Sequence, residues 1–192
     1  MTDGTLILVP TEQEREALFG SCGRPDVRVC GFGLAEAGAR AAHALATSDG
    51  HISTAVLVGV AGTYDPGRWP VGSAVVGGSV RCHGIGAGGQ TSRELGFAGS
   101  DVMPLAGSGP EILSVAMASG DPGEAAARHA RHPQAAVEEM EGFAVAVAAA
   151  AFGVPLRIVR GVSNVAGQRD RAAWRFHEAL EAAAAALDTV TA

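Results

Sequence analysis

The 192-residue chain contains no lysine; all 14 of its basic residues are arginine. That absence excludes two chemistries outright: a Walker-type phosphate loop, which needs a lysine on the nucleotide phosphates, and a lysine Schiff base. Cysteine is nearly as scarce. Cys22, Cys30 and Cys82 are odd in number and lack C-x-x-C spacing, so neither a disulfide framework nor a zinc site is expected and the thiols read as reduced. Cys82 adjoins His83, but without further ligands nearby the pair implies no metal centre. Charge is sparse too, at 18% of residues, with a formal balance of −6 and no basic cluster, which argues against nucleic acid or an anionic membrane as partner. The opening "MTDGTLILVP" has an acid where an export signal wants a base, and its apolar run is too short to span a bilayer; a cytoplasmic protein is expected.

What is present is apolar and small: 47% hydrophobic residues and 27 glycines, a composition of globular rather than disordered chains. The length suits one domain, residues 1–192, burying about 70% of the surface its unfolded form exposes. "TLILVP" reads as a strand closed by proline and "TEQEREALFG" as a helix. "VRVCGFG" is a second strand running into the helix "LAEAGARAAHALATS", and "TAVLVGVAG" (54–62) is a third, buried strand. A hairpin-like region follows at "GRWPVGSAVVGGSVRCHG". Residues 84–110 are glycine-rich and too long for a passive connection, so they are expected to cover a site or meet a partner subunit. "EILSVAMASGD" reads as a strand, 139–152 as a helix stopped by Gly153 and Pro155, "LRIVRGVSN" as a buried strand and 172–187 as the last helix. Alternating strands and helices with continuous apolar runs predict a three-layer α/β/α sandwich around a central mixed sheet.

Ligands of such sheets bind beyond the carboxyl ends of the strands. The polar residues there are Thr11, Glu12 and Glu14, the small-residue turn Gly59–Gly62 that includes Ala61, Ser119–Asp121, and Ser163 with Asn164. The stretch "VEEMEGFAVAV" sets Glu138, Glu139 and Glu141 around Met140, just before an apolar helix. Acids in a first helical turn are stabilised by the helix dipole by up to ~1 kcal/mol, which is one reading of Glu138 and Glu139. The other reading puts Met140 and Glu141 at the mouth of a site, where a carboxylate accepts hydrogen bonds from a polyhydroxylated ligand. "GFGLAEAG" mimics a dinucleotide fingerprint, but Glu36 stands where the third glycine belongs and would oppose a pyrophosphate, so no cofactor is expected.

Taken in order, "VPTEQE", "GFGLAEAGARAAHAL", "VLVGVAG", "ASGD", "VEEMEGFAVA" and "RIVRGVSNVAG" resemble the purine nucleoside phosphorylase and methylthioadenosine nucleosidase superfamily, over residue 5 to about 186. "PTEQE", "MEGFAVA" and "RGVSNVAGQRD..W" resemble its futalosine hydrolase branch, which removes hypoxanthine from futalosine in an alternative menaquinone route. The resemblance implies a phosphorylase/hydrolase-like fold and cleavage of an N-glycosidic bond without cofactor or metal. By the same resemblance Glu14 positions and activates water, with Glu12 a weaker candidate for that task. Glu141 accepts ribose hydroxyls, Met140 packs on the sugar, and Ser163 orients Asn164 toward the base, with Ala61 and Gly62 at the binding turn.

Two departures from the pattern matter. Adenine-releasing relatives carry an aspartate at the position of Asn164; an amide offers both a donor and an acceptor, which favours a 6-oxopurine. Relatives often place a stacking aromatic after the aspartate of "SGD", whereas here Pro122 and Gly123 follow Asp121, leaving Phe143 or Phe97 to stack on the base. Phosphorylases of the superfamily carry a glycine-rich, arginine-assisted phosphate loop after the first strand, while "VPTEQERE" would repel the anion, so water is the expected nucleophile. The alternatives are a methylthioadenosine/S-adenosylhomocysteine nucleosidase and a catalytically idle nucleoside-binding protein. The resemblance also implies a homodimer or higher homo-oligomer in which residues 84–110 reach the neighbouring site.

Overall fold

A computed structural model describes residues 4–20, 26–48, 51–96 and 100–191; Cys22 and Phe97 lie outside them. Strand β1 (Thr5–Val9) leads into helix α1 (Glu12–Phe19), and β2 (Val27–Val29) into α2 (Gly33–Thr47). The ten-residue β3 (Thr54–Thr63) is followed by β4 (Ala74–Val76), β5 (Ser79–Cys82), a small ribbon of β6 (Gly86–Ala87) and β7 (Gln90–Thr91), then β8 (Val102–Pro104) and β9 (Glu111–Ser114). Helix α3 (Pro122–Arg131), β10 (Ala135–Glu139), α4 (Gly142–Ala151), β11 (Leu156–Val165), a 3₁₀ turn at Arg171–Ala173 and α5 (Phe176–Thr191) complete the order.

The sheet is mixed, as the sequence predicts. β3 is its spine. On one edge β11 runs parallel to it from Ala55 to Thr63. On the other edge β1 pairs with its first half, Thr54 to Leu57, and antiparallel β10 with its end, Gly62 and Thr63. Between those two partners, residues 58–61 of β3 have no strand on that edge, and this gap is where the cleft opens.

Because side chains alternate along a strand, each strand feeds two cores. Leu6, Leu8, Leu57 and Ile158 join the apolar cluster that includes α2 and α4 residues, whereas Ile7, Val9, Val56, Val58 and Val159 join the one that includes Ala183 and Leu187 of α5. The result is the three-layer sandwich. Alanine and glycine set how closely neighbouring elements approach, within a layer and between layers. A β-carbon on Gly38 of α2 would lie 3.2 Å from that of Ala144, and one on Gly161 of β11 would lie 2.0 Å from the carbonyl oxygen of Ala179.

Several elements depart from the sequence reading. Helix α4 begins at Gly142 rather than 139, because Glu138 and Glu139 belong to β10. The last helix begins at Phe176 rather than 172, because the backbone N–H of Arg175 is donated to Ser163 O at the end of β11 (2.9 Å). The strand read at 111–121 is confined to Glu111–Ser114. The hairpin-like region read at "GRWPVGSAVVGGSVRCHG" does not pair with itself: β4 pairs with β11 and β5 with β8 and β9, the chain crossing between them at Gly77 and Gly78. Residues 84–110 contain the β6–β7 ribbon and β8, and none of their described residues lines the cleft.

Gly161→Ala should lower stability by roughly 2–3 kcal/mol or more, since the added methyl must push α5 off β11. Urea unfolding checks this; a midpoint equal to that of the unaltered protein would contradict the packing.

Candidate active site

Glu14 is placed by a helix cap. Thr11 Oγ1 accepts the backbone N–H of Glu14 (3.2 Å) as N-cap of α1, and the Thr11 hydroxyl donates back to Glu14 Oε2 (2.6 Å). The other carboxylate oxygen, Oε1, accepts the N–H of Val60 (3.1 Å), which is available because β1 stops pairing at Leu57. Glu14 is thus buried in the gap of β3. Glu12, two residues earlier, is exposed and paired with Arg15 Nε (2.7 Å), which holds its carboxyl below the usual range; it is not in the cleft.

The three glutamates around Met140 have separate surroundings. Glu138 points to α3: Oε2 accepts from Tyr64 OH (2.8 Å), Ser119 Oγ (2.7 Å) and Arg128 Nη1 (2.9 Å), and Oε1 from Ser119 N (2.9 Å). Burial, and then the Glu138 charge, push the Tyr64 phenol well up. Glu139 caps α4 from outside it, accepting the N–H groups of Glu141 (3.0 Å) and Gly142 (2.8 Å) together with Ser114 Oγ and Arg160 Nη2. The dipole reading therefore applies to Glu139 alone, through a side chain that precedes the helix. Glu141 stands at the N-cap position without capping. Its Oε1 accepts Gly33 N (3.1 Å), the first residue of α2, and its Oε2 accepts Arg160 Nη2 (3.1 Å). Burial pushes its carboxyl up to about 7, with Arg160 opposing and Glu139 adding to the rise.

Glu141 and Glu36 also account for the resemblance to a dinucleotide loop. They occupy the N–H groups of Gly33 and Phe32 (3.3 Å to Glu36 Oε2) that a pyrophosphate would need.

The sequence reading missed Arg160. Its guanidinium is fully buried and held by Glu139 and Glu141, and neighbouring carboxylates raise its affinity for its proton against burial, which acts most strongly and in the opposite sense. Nε and Nη1 have no acceptor among the described residues. A β-carbon at Gly59 would lie 2.4 Å from Nη1 and 2.8 Å from Glu14 Oε1, so Gly59 is the shared floor of the two groups. The available signal was an arginine inside the Val/Ile-rich run of the strand, four residues before Asn164. The buried thiol of Cys30 adjoins this cluster and is pushed up to about 12, chiefly by burial.

Asn164 is aimed by an irregularity in β11. Val162 pairs with Ala61 and Asn164 with Gly62, so Ser163 is an extra residue, and a bulge of this kind re-aims the side chain that follows it. Ser163 Oγ donates to Asn164 Oδ1 (2.7 Å), and Asn164 Nδ2 donates to Val165 O (2.9 Å). A carbonyl can only accept, so Val165 fixes which end of the amide is Nδ2. One amide hydrogen remains free. A side chain on Gly62 would press on Nδ2 at 3.3 Å.

The cleft, about 240 Å³, is lined by Glu14, Ala61, Gly62, Met140, Glu141, Ser163 and Asn164 among others. Phe143, like Glu12, is an expected residue that does not line the cleft: it is buried in the α2–α4 core with its N–H on Ser114 Oγ (2.8 Å). The aromatic residues that do are Phe32, Trp174 and Phe176. Sequence reading placed the last two inside a helix and so overlooked them. Ser119 and Asp121 serve structure, the first holding Glu138 and the second capping α3 through Glu124 N (2.9 Å). Among the described residues no three metal-binding side chains cluster, and no helix is long and apolar enough to cross a membrane.

Residues 103–192 match the Phosphorylase superfamily. A futalosine hydrolase of Streptomyces coelicolor is 41% identical over 142 residues, covering 66% of this chain and 60% of that protein. Two further futalosine hydrolases, from Acidothermus cellulolyticus and Thermus thermophilus, match over 28% and 26% of their lengths, so each alignment spans less than two thirds of the curated relative. In structure, the native futalosine hydrolase of Helicobacter pylori superposes with a TM-score of 0.80 at 15% identity, over 98% of this chain and 97% of that one. A methylthioadenosine/S-adenosylhomocysteine nucleosidase from Colwellia psychrerythraea, in complex with adenine, gives 0.76 at 21% identity over 96% and 91%. The chain therefore has the fold of these purine nucleosidases, and its residues 103–192 carry the sequence pattern of the Phosphorylase superfamily.

Proposed function

We propose that this protein hydrolyses the N-glycosidic bond of a 6-oxopurine nucleoside, with futalosine as substrate and hypoxanthine as the released base, in menaquinone biosynthesis. The sequence likeness to futalosine hydrolases supports the substrate. The observation that carries the chemistry is the meeting of Glu14, Glu141 and Asn164, from three separate elements, around one cleft.

Breaking the bond leaves an oxocarbenium-like ribosyl group and sends the bonding electron pair into the purine. Glu141 accepts the ribose hydroxyls while Met140 packs on the sugar. Glu14, whose carboxylate lines the cleft, takes a proton from the attacking water. The free amide hydrogen of Asn164 is donated to O6 of the base, where charge accumulates as it leaves. Water rather than phosphate is the nucleophile, because the inner cleft is already negative. Arg128 balances Glu138 and Arg160 balances one of Glu139 and Glu141, leaving Glu14 and, once Glu141 is ionised above about pH 7, one more carboxylate. The protein is expected to act in the cytoplasm as a homodimer or higher homo-oligomer, residues 84–110 meeting the neighbouring subunit. Fold likeness to methylthioadenosine nucleosidases supports one rival, release of adenine, and Asn164 discriminates between the two.

Incubation with futalosine, inosine and methylthioadenosine, with and without phosphate, should yield free hypoxanthine at a rate that phosphate does not change. A ribose-1-phosphate product, or preference for methylthioadenosine, would reject this reading. Glu14→Gln should lower turnover by ~10²-fold or more with ligand binding nearly intact, since shape is kept and the base removed.

The raised carboxyl of Glu141 fixes a pH dependence. The ionised form accepts the hydroxyls and the protonated form dominates below about 7, so kcat/KM should fall as pH drops through that value. Glu141→Gln should be slower and lack this limb; an unchanged limb would assign it to another group. Asn164→Asp should shift the ratio of rates away from hypoxanthine and toward adenine nucleosides, read by competition between inosine and methylthioadenosine.

A further inference from the structure

The inner end of the cleft is negative, and its outer end is the reverse. Beyond Asn164 the chain turns back over the cleft, pinned by Arg175 N on Ser163 O (2.9 Å), and sets Arg169, Arg171, Trp174 and Phe176 along its lip. The guanidinium carbons of Arg169 and Arg171 lie 5.5 and 5.9 Å from the centroid of the Trp174 ring. Trp174 is itself fixed, its Nε1–H donated to Gln168 O (3.0 Å). The acid between the arginines does not neutralise them: Asp170 Oδ1 accepts Ala172 N (3.0 Å) to cap the 3₁₀ turn. Neither arginine forms an ion pair with a described residue, whereas Arg175 beside them is paired with Glu178. Two cations with unused donors, stacked on an indole at the mouth of a pocket, match a planar group bearing an anionic oxygen.

Resting on the nucleosidase reading, we propose that Arg169 and Arg171 are specificity residues that bind a carboxylate or phosphate on an arm projecting from the sugar, away from the base, with Trp174 stacking on the arm. The polarity of the cleft orients the substrate. An anionic arm is repelled from Glu14 and Glu141 and attracted to the lip, so ribose and base go inward. Inosine, which has no such arm, lacks this anchor.

The test uses 5′-O-(4-carboxybenzyl)inosine, its neutral methyl ester and inosine 5′-monophosphate with the full chain and with the double variant Arg169→Gln/Arg171→Gln. Base release and calorimetric binding are both read. Charge-assisted hydrogen bonds of this kind predict that the unaltered protein favours acid over ester by about tenfold or more, mainly through KM, and that added salt shrinks the preference. The double variant should lose it. Comparison of the carboxylated compound with the monophosphate shows which anion the lip takes. Equal treatment of acid and ester, a preference that survives in the double variant, or no binding of either anionic compound overturns the proposal. Charge-dependent binding without base release would overturn the glycosidase reading and leave the arginine site standing, and base release without charge preference would do the opposite.

Discussion

A guanidinium with none of its surface exposed is among the most costly groups to bury, and Arg160 is tolerable only because Glu139 and Glu141 reach it from the turn between β10 and α4. The dependence is mutual. Without Arg160, two buried carboxylates would face each other; without Glu139, the N-terminus of α4 would lose the acceptor of its first N–H groups. One ionic cluster thus fixes the crossing of β11 with the β10–α4 turn, and through Gly33 it also fixes the start of α2.

The cluster is a poor stabiliser in proportion to its size, since desolvation consumes most of the attraction, and apolar residues of similar volume could fill the space. Its incomplete satisfaction is the informative part. Two nitrogens of Arg160 are left without acceptors among the described residues, and one of them, Nη1, lies over Gly59 beside Glu14. Buried polar groups are nearly always paired, so two unpaired nitrogens set this cluster apart from an ion pair that serves packing alone.

Much of this was legible in the sequence, and what was not has a common cause. Strand alternation in "TLILV" and "TAVLVGVAG" carries its own burial pattern, so the sandwich could be read locally. The cap "TEQE" likewise carries the position of Glu14 within five residues. Glu138 and Glu139 could not be read in that way. Carboxylates in a buried strand look like the head of a helix until Arg128 and Arg160 are known to meet them, and no local pattern announces those partners. Phe143 fell on the core side for a related reason: once α4 begins at Gly142, the register of the helix turns that ring toward α2. The segment Ala172–Arg175 has the composition of a helix, yet its 3₁₀ turn ends at Ala173, and one tertiary hydrogen bond from Arg175 N to Ser163 O interrupts it before α5, leaving Trp174 at the cleft.

The hydrogen bond from Gly33 to Glu141 spans 108 positions of the chain. Residues 103–192, where the superfamily pattern lies, bring Glu141, Arg160 and Asn164, but Glu14, Gly33 and Gly59 all come from the first third of the sequence. Neither portion owns a pocket. The site is a product of the slowest kind of assembly, contacts between segments far apart along the polymer, and comes into being only when the long-range sheet closes. A nascent chain still emerging during synthesis therefore passes through no stage at which half of the cleft stands ready for a ligand.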